Sequence, residues 1–137
     1  MLGRLEPGIA MQQLAHLALI GLAGAAGTLL RAGCSGLVTR LLGPGFPWGT
    51  LAVNVAGSFA FGAIMGWVRS RHAVPDSMET VLLVGLLGGF TTYSSYAFQS
   101  VELLEGGRAI QALGYMLATN LVALAAAWAG LRALSGP

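Results

Sequence analysis

The stretch from Gly85 to Ser95, GLLGGFTTYSS, lies inside an apolar segment running from about Met78 to Leu104. Crossing a hydrocarbon core of roughly 30 Å takes about 20 apolar residues, so the segment is long enough to span a bilayer. Leucine and valine alone would suffice for that, yet three glycines and four serines or threonines fall within its central eleven residues. The Gly88-Gly89 pair weakens a helix, because glycine loses most conformational freedom on being confined. A break in lipid frees backbone groups that must find partners, and persists only where protein or water covers it. One reading is a kinked helix packed closely through small residues. The other follows from Thr91, Thr92, Tyr93, Ser94, Ser95 and Tyr96 directly after the pair. A lipid-facing wall has no use for such a hydroxyl run, while an ion pathway does.

Composition narrows the class. Of 137 residues, 55% are hydrophobic and only 9% charged, with a mean hydropathy of +0.74. A soluble domain has about a quarter of its residues charged, so the chain reads as an integral membrane protein and a soluble enzyme is excluded. The basic residues are all arginine (Arg4, Arg31, Arg40, Arg69, Arg71, Arg108 and Arg132), scattered singly or in one pair. That is how helix ends in membranes are marked, and no nucleic-acid partner is expected. Cys34 stands alone, which forbids an internal disulfide, and reads as a small apolar residue on a helix.

Four spans account for residues 1–137 as a single all-α transmembrane domain. Met1 to Gln12 lacks the apolar core of a signal peptide, and no removed targeting segment is expected. The first span runs from about Gln13 to Leu42, with Gly21, Gly24, Ala25, Ala26, Gly27 and Gly36 supplying a face for close helix approach. Arg31 in this span either snorkels to the interface or faces water and an anion. Gly43-Pro44-Gly45-Phe46-Pro47 is a turn, and Trp48 opens the second span, Gly49 to Val68, at an interface position. Asn54 and Ser58 share one line of that helix with Gly62 and Gly66. Asn54 either joins helices by a hydrogen bond or presents N–H donors to a permeant species. Arg69 to Asp76 reads as a polar connection with His72 solvated, and Asp76 or Ser77 followed by Glu79 as a helix start. The third span is predicted to be non-helical between about Gly88 and Thr92. The fourth runs from about Ile110 to Leu131, carrying Tyr115, Thr119 and Asn120.

The arginine bias across the membrane is weak. The two chain ends and the middle loop hold Arg4, Arg69, Arg71 and Arg132, against Arg40 and Arg108 opposite. Four against two orients a chain poorly. Insertion in both directions, giving an antiparallel dual-topology homodimer with inverted symmetry, follows as an expectation.

Gly24-Ala25 through Arg31, GTLAVNVAGSFAFG from Gly49 to Gly62, and GGFTTYSSY from Gly88 to Tyr96 resemble the signature segments of the Fluc or CrcB fluoride channels, and the four-span layout fits over essentially the whole chain. The resemblance implies an antiparallel dimer in the cell inner membrane, with two narrow pores exporting fluoride passively. It implies one structural sodium ion at the dyad, held by main-chain carbonyls that correspond here to Gly88 and Thr91. The pore asparagine corresponds to Asn54, the two pore-facing aromatics to Tyr93 and Tyr96, and neighbouring hydroxyls to Ser94 and Ser95. Tyr115 and Thr119 match a polar track on the fourth helix, and Arg31 the first-helix arginine at the pore entrance. Fluoride, sodium, membrane lipid and a second copy of the chain are thus the implied partners. Two departures stand out. The family pattern has phenylalanine where Tyr93 and Tyr96 stand, and an acid where this chain has Gln99. Each tyrosine keeps the aromatic ring, and its phenol either adds a donor or changes nothing.

The chemistry is coherent apart from the resemblance. A small, strongly hydrated anion needs close donors in place of water, which amide and hydroxyl groups provide, and aromatic ring edges are electropositive. Two other classes fit the size: a small dual-topology multidrug transporter, and a non-transporting packing subunit. The first resembles its own kind through a membrane-embedded glutamate on the first helix, where this chain has Arg31 and no acid. The second leaves the hydroxyl run without a role.

Overall fold

The computed structural model describes residues 7–71 and 75–136, and the regular elements among them are all helical. Helix α1 covers Pro7–Leu42 and α2 covers Trp48–Arg71. The third span, Asp76–Glu105, is composite. It contains α3 (Asp76–Thr80), a π-helical segment (Val81–Leu87), α4 (Gly88–Phe90) and α5 (Tyr93–Glu105), and α6 (Ala109–Leu134) follows. Four of the helical stretches are long and apolar enough to cross a membrane.

Most boundaries follow local chemistry. The first helix already includes Pro7, where the described residues begin, and so extends ahead of the start expected near Gln13. It stops where Gly43 adopts a left-handed φ of 87° and donates its N–H to Thr39 O at 2.9 Å. The second helix runs through Arg71, so Arg69, Ser70 and Arg71, expected in a polar connection, are helical; His72 lies outside the described residues. The third span starts at Asp76 as expected, but Pro75 is the cap, with no side-chain hydrogen bond from Asp76 or Ser77 to the helix end. Instead the Pro75 carbonyl accepts from Met78 and Glu79 at 2.9 and 3.1 Å. At the far end of that span Gly107, with φ 70°, turns the chain into α6.

The small-residue stripes are packing devices only in part: a methyl group at Gly21 or Gly36 of the first helix would meet nothing within 4 Å among the described residues, while Gly24 and Gly27 face the third span. Gly62 and Gly66 on α2 lie against the backbone carbonyls of Ala127 and Leu131 on α6, and Gly130 on α6 lies against that of Phe59. A methyl group at any of the three would overlap backbone, so these helices touch main chain to main chain. The first helix docks elsewhere. Gly27 meets Leu86 O and Phe90 N, while Gly85 meets Ile20 and Ala23. The third span is thereby clamped by α1 on its first half.

The break in the third span is narrower and later than the sequence suggests. Gly88 is helical, with φ −62° and ψ −36°, and the chain turns extended only at Thr91 (φ −85°, ψ 159°) and Thr92 (φ −150°, ψ 113°). Gly89 serves a different purpose, since its bare α-carbon admits the backbone of Gly24. The extended residues are two β-branched threonines, a side-chain type that favours such backbone.

Candidate functional site

Thr92 is where the elements meet. Asn54 Nδ2 donates to Thr92 O at 3.1 Å, and Thr92 N–H donates to Asn54 Oδ1 at 2.8 Å. Both residues are buried. The carboxamide on α2 takes the part of a neighbouring peptide group and closes the gap that the break opens. One Nδ2 hydrogen is spent on this pairing and the other is left over. On its far side the Thr92 hydroxyl caps α5, accepting from Ser95 N–H at 3.2 Å and donating to Ser95 Oγ at 3.0 Å.

These substitutions release carbonyls. In a continuous α-helix Thr92 N–H would serve Gly88 C=O, and Ser95 N–H would serve Thr91 C=O. Here side-chain oxygens capture both donors, and Thr91 sends its own N–H and hydroxyl back to Leu87 O, each at 3.0 Å. Gly88 and Thr91 therefore keep hard oxygen atoms without helical partners, the type of ligand a small cation takes. Among the described residues no group of three or more His, Cys, Asp or Glu side chains could hold a metal ion.

A cavity of about 450 Å³ opens beside this junction. Asn54, Ser58, Thr91, Thr92, Tyr93, Tyr96, Thr119 and Asn120 give it polar edges, and Phe61 with several leucines and alanines gives it apolar ones; none of its lining side chains is charged. Thr119 is 6% exposed, and its Oγ1 has no hydrogen-bond partner among the described residues. Tyr96 is buried at this edge, its ring 5.3 Å from that of Tyr93 and 5.3 Å from that of Tyr115. Phe46 continues the row, edge-on to Tyr115 at 5.4 Å. A second hollow of about 300 Å³ is lined by Arg31, Ser35, Thr50, Ser95 and Gln99, and Thr92 borders it too.

The residues nominated from sequence divide accordingly. Asn54, Tyr93, Tyr96, Thr119, Gly88 and Thr91 come together at the larger cavity. Arg31 and Ser95 border the smaller one. Tyr115 is fully buried and lines neither; its hydroxyl donates to Gln99 Oε1 at 3.0 Å. Ser94 is exposed and also lines neither, its Oγ lying 3.4 Å from Thr92 Oγ1. Sequence reasoning named Thr92 only as one of the hydroxyl run and Asn120 only as a residue of the fourth span, and singled out neither as a site residue; the contribution of Thr92 is mostly main chain, and the signal of Asn120 was its place beside Thr119 on α6.

The helices and the uncharged, donor-edged cavity define a multi-pass membrane protein with a polar core at a helix break. A family model described as CrcB-like protein, Camphor Resistance (CrcB), matches residues 18–131, and the chain belongs to that family. A protein of Anaeromyxobacter dehalogenans named fluoride-specific ion channel FluC is 46% identical over 116 residues, covering 85% of this chain and 92% of its own. Its namesake from Agrobacterium fabrum is 42% identical over 116 residues, covering 85% and 93%. That of Geobacter sp. (strain M21) is 38% identical over 121, covering 88% and 95%. These relatives are named as channels and none as an enzyme, in keeping with the resemblance read from the signature segments.

Proposed function

We propose that the protein is a fluoride-selective channel of the cell inner membrane, working as an antiparallel dual-topology homodimer with two pores. The observation that carries this reading is the larger cavity, whose polar edges are amide and hydroxyl groups with no carboxylate among them. An anion shedding its water there meets the spare Asn54 hydrogen, the Thr119 hydroxyl, which has no partner among the described residues, and the Tyr93 ring, and no acid among the lining residues repels it. The names of the relatives supply the identity of the anion.

Passage is passive. A negative-inside potential is worth about 2.3 kcal/mol per charge per 100 mV, enough to drive an anion outward without coupled energy. A cavity without a carboxylate also suits this better than proton-coupled exchange. The freed carbonyls of Gly88 and Thr91 fit a sodium ion at the dyad, met by the same pair from a second copy. When bound, such an ion would supply fixed positive charge near both pores. Arg31, half-buried beside the smaller hollow, would hold positive charge at the entrance.

The test is efflux from liposomes containing the purified protein. Fluoride should leave far faster than chloride, without added proton or sodium gradients. Equal rates, or none for fluoride, would overturn the reading.

A further inference from the structure

Asn120 Nδ2 makes two hydrogen bonds, to Met116 O at 2.7 Å and to Tyr96 Oη at 2.9 Å. A main-chain carbonyl can only accept, so the amide atom facing Met116 O has to be the nitrogen, and the orientation of the carboxamide is settled by chemistry. The same nitrogen then donates to Tyr96 Oη, and the phenol oxygen is the acceptor. A phenol O–H lies close to its ring plane and has two directions to choose from. With a donor held on one side, the hydrogen turns to the other. Tyr96 and Asn120 both border the larger cavity, as does Thr119, whose buried hydroxyl has no hydrogen-bond partner among the described residues.

We infer that Asn120 turns the Tyr96 O–H into the cavity, which makes Tyr96 a hydrogen-bond donor to the passing anion and Asn120 its positioning residue. A phenylalanine at this place could offer only its ring edge. The phenol and the Thr119 hydroxyl add two donors on the α5 and α6 side of the cavity, facing an anion that Asn54 meets from α2. Fluoride accepts hydrogen bonds more strongly than chloride, so an added oriented donor raises discrimination between them. The inference rests on the fluoride-channel reading.

The experiment compares fluoride and chloride efflux from liposomes for the parent, Tyr96→Phe, Asn120→Leu and the double variant, at matched amounts of assembled protein. Tyr96→Phe should lose about two- to tenfold in fluoride rate, the kinetic equivalent of one net hydrogen bond, and narrow the preference over chloride. Asn120→Leu should lose less in the same direction, because the phenol remains but is no longer held. The double variant should be no slower than Tyr96→Phe, since without a phenol there is nothing left to orient. Tyr96→Phe matching the parent, or Asn120→Leu multiplying the loss in the Tyr96→Phe background, would overturn the inference. Should Tyr96→Phe fail to assemble, an unchanged fluoride-to-chloride ratio in Asn120→Leu overturns it just as well. A parent that passes no fluoride removes the channel reading and this inference together, whereas a conducting parent with unaffected variants removes only the inference.

Discussion

Asn54 and Thr92, 38 positions apart in the chain, exchange two hydrogen bonds in which one side chain satisfies both main-chain polar groups of the other residue. The arrangement ties the structural and functional readings of Asn54 together. The same carboxamide that holds the break closed borders the cavity with a donor to spare.

Asn54→Asp should therefore fail twice. The carboxylate would present an acceptor to Thr92 O and place a negative charge on the path of an anion. Fluoride efflux should fall by about tenfold or more, beyond the loss from one hydrogen bond. Asn54→Ala leaves the Thr92 groups unpaired and should cost on the order of 1–3 kcal/mol for each, read as a lower unfolding temperature in detergent. Normal efflux from well-folded Asn54→Asp protein would place the carboxamide outside the pathway.

The Thr92 hydroxyl caps α5 through Ser95. Thr92→Val keeps the shape and removes the cap, so it should destabilise by about 1 kcal/mol, while Thr92→Ser should stay near the parent. Thermal unfolding of the purified proteins measures the difference, and equal values for the two variants would contradict the capping role.

Tyr93 differs from Tyr96. It is 76% exposed and leans on the Tyr96 ring at 5.3 Å. Tyr93→Phe should conduct as the parent does, because the ring edge remains. Tyr93→Ile removes the aromatic edge and should cut fluoride efflux, by roughly the 0.5–1.5 kcal/mol of an aromatic contact or two- to tenfold. A conducting Ile variant would take Tyr93 off the pathway.

Gly62→Ala tests the α2–α6 contact. Its new methyl would overlap Ala127 O on a neighbouring backbone that cannot swing aside. A cost of about 1–3 kcal/mol is expected, with a lower yield of monodisperse protein in detergent. Wild-type stability would mean the helices stand further apart in the membrane.

If the chain inserts in both directions, a tag on either end should be accessible from both faces of the membrane in functional protein. Accessibility from one face alone would reject the antiparallel pairing.

The spans were legible because membrane helices announce themselves by length and hydropathy, and the glycine stripes because close approach needs small side chains at helical spacing. The break was placed in the right window, Gly88 to Thr92, but its extent within that window was not legible. A Gly-Gly pair looks like the weak point, but tertiary contact decides: Gly89 is occupied against Gly24, and the extended residues fall two positions further on. Asn54 and Tyr96 were found through residue type together with the signature segments, and Thr119 through the resemblance alone. Asn120 was missed as a site residue since its effect depends on which atom of a neighbour it faces, and spacing does not carry that information.

The π-helical turns at Val81–Leu87 give the third span an uneven tolerance to changes of length. Such a segment commonly holds one residue more than an α-helix needs over the same rise. Removing one residue there can be absorbed by tightening the turn, with Gly89 still seated on Gly24. Beyond Thr92 no such slack exists. Each α-helical residue turns the chain by about 100°, so a deletion early in α5 would swing Tyr96 away from Asn120 and Gln99 away from Tyr115. A one-residue deletion between Thr80 and Gly85, ahead of the contacts that Gly85 and Leu86 make with the first helix, should thus be survivable, and one between Thr92 and Gln99 should not.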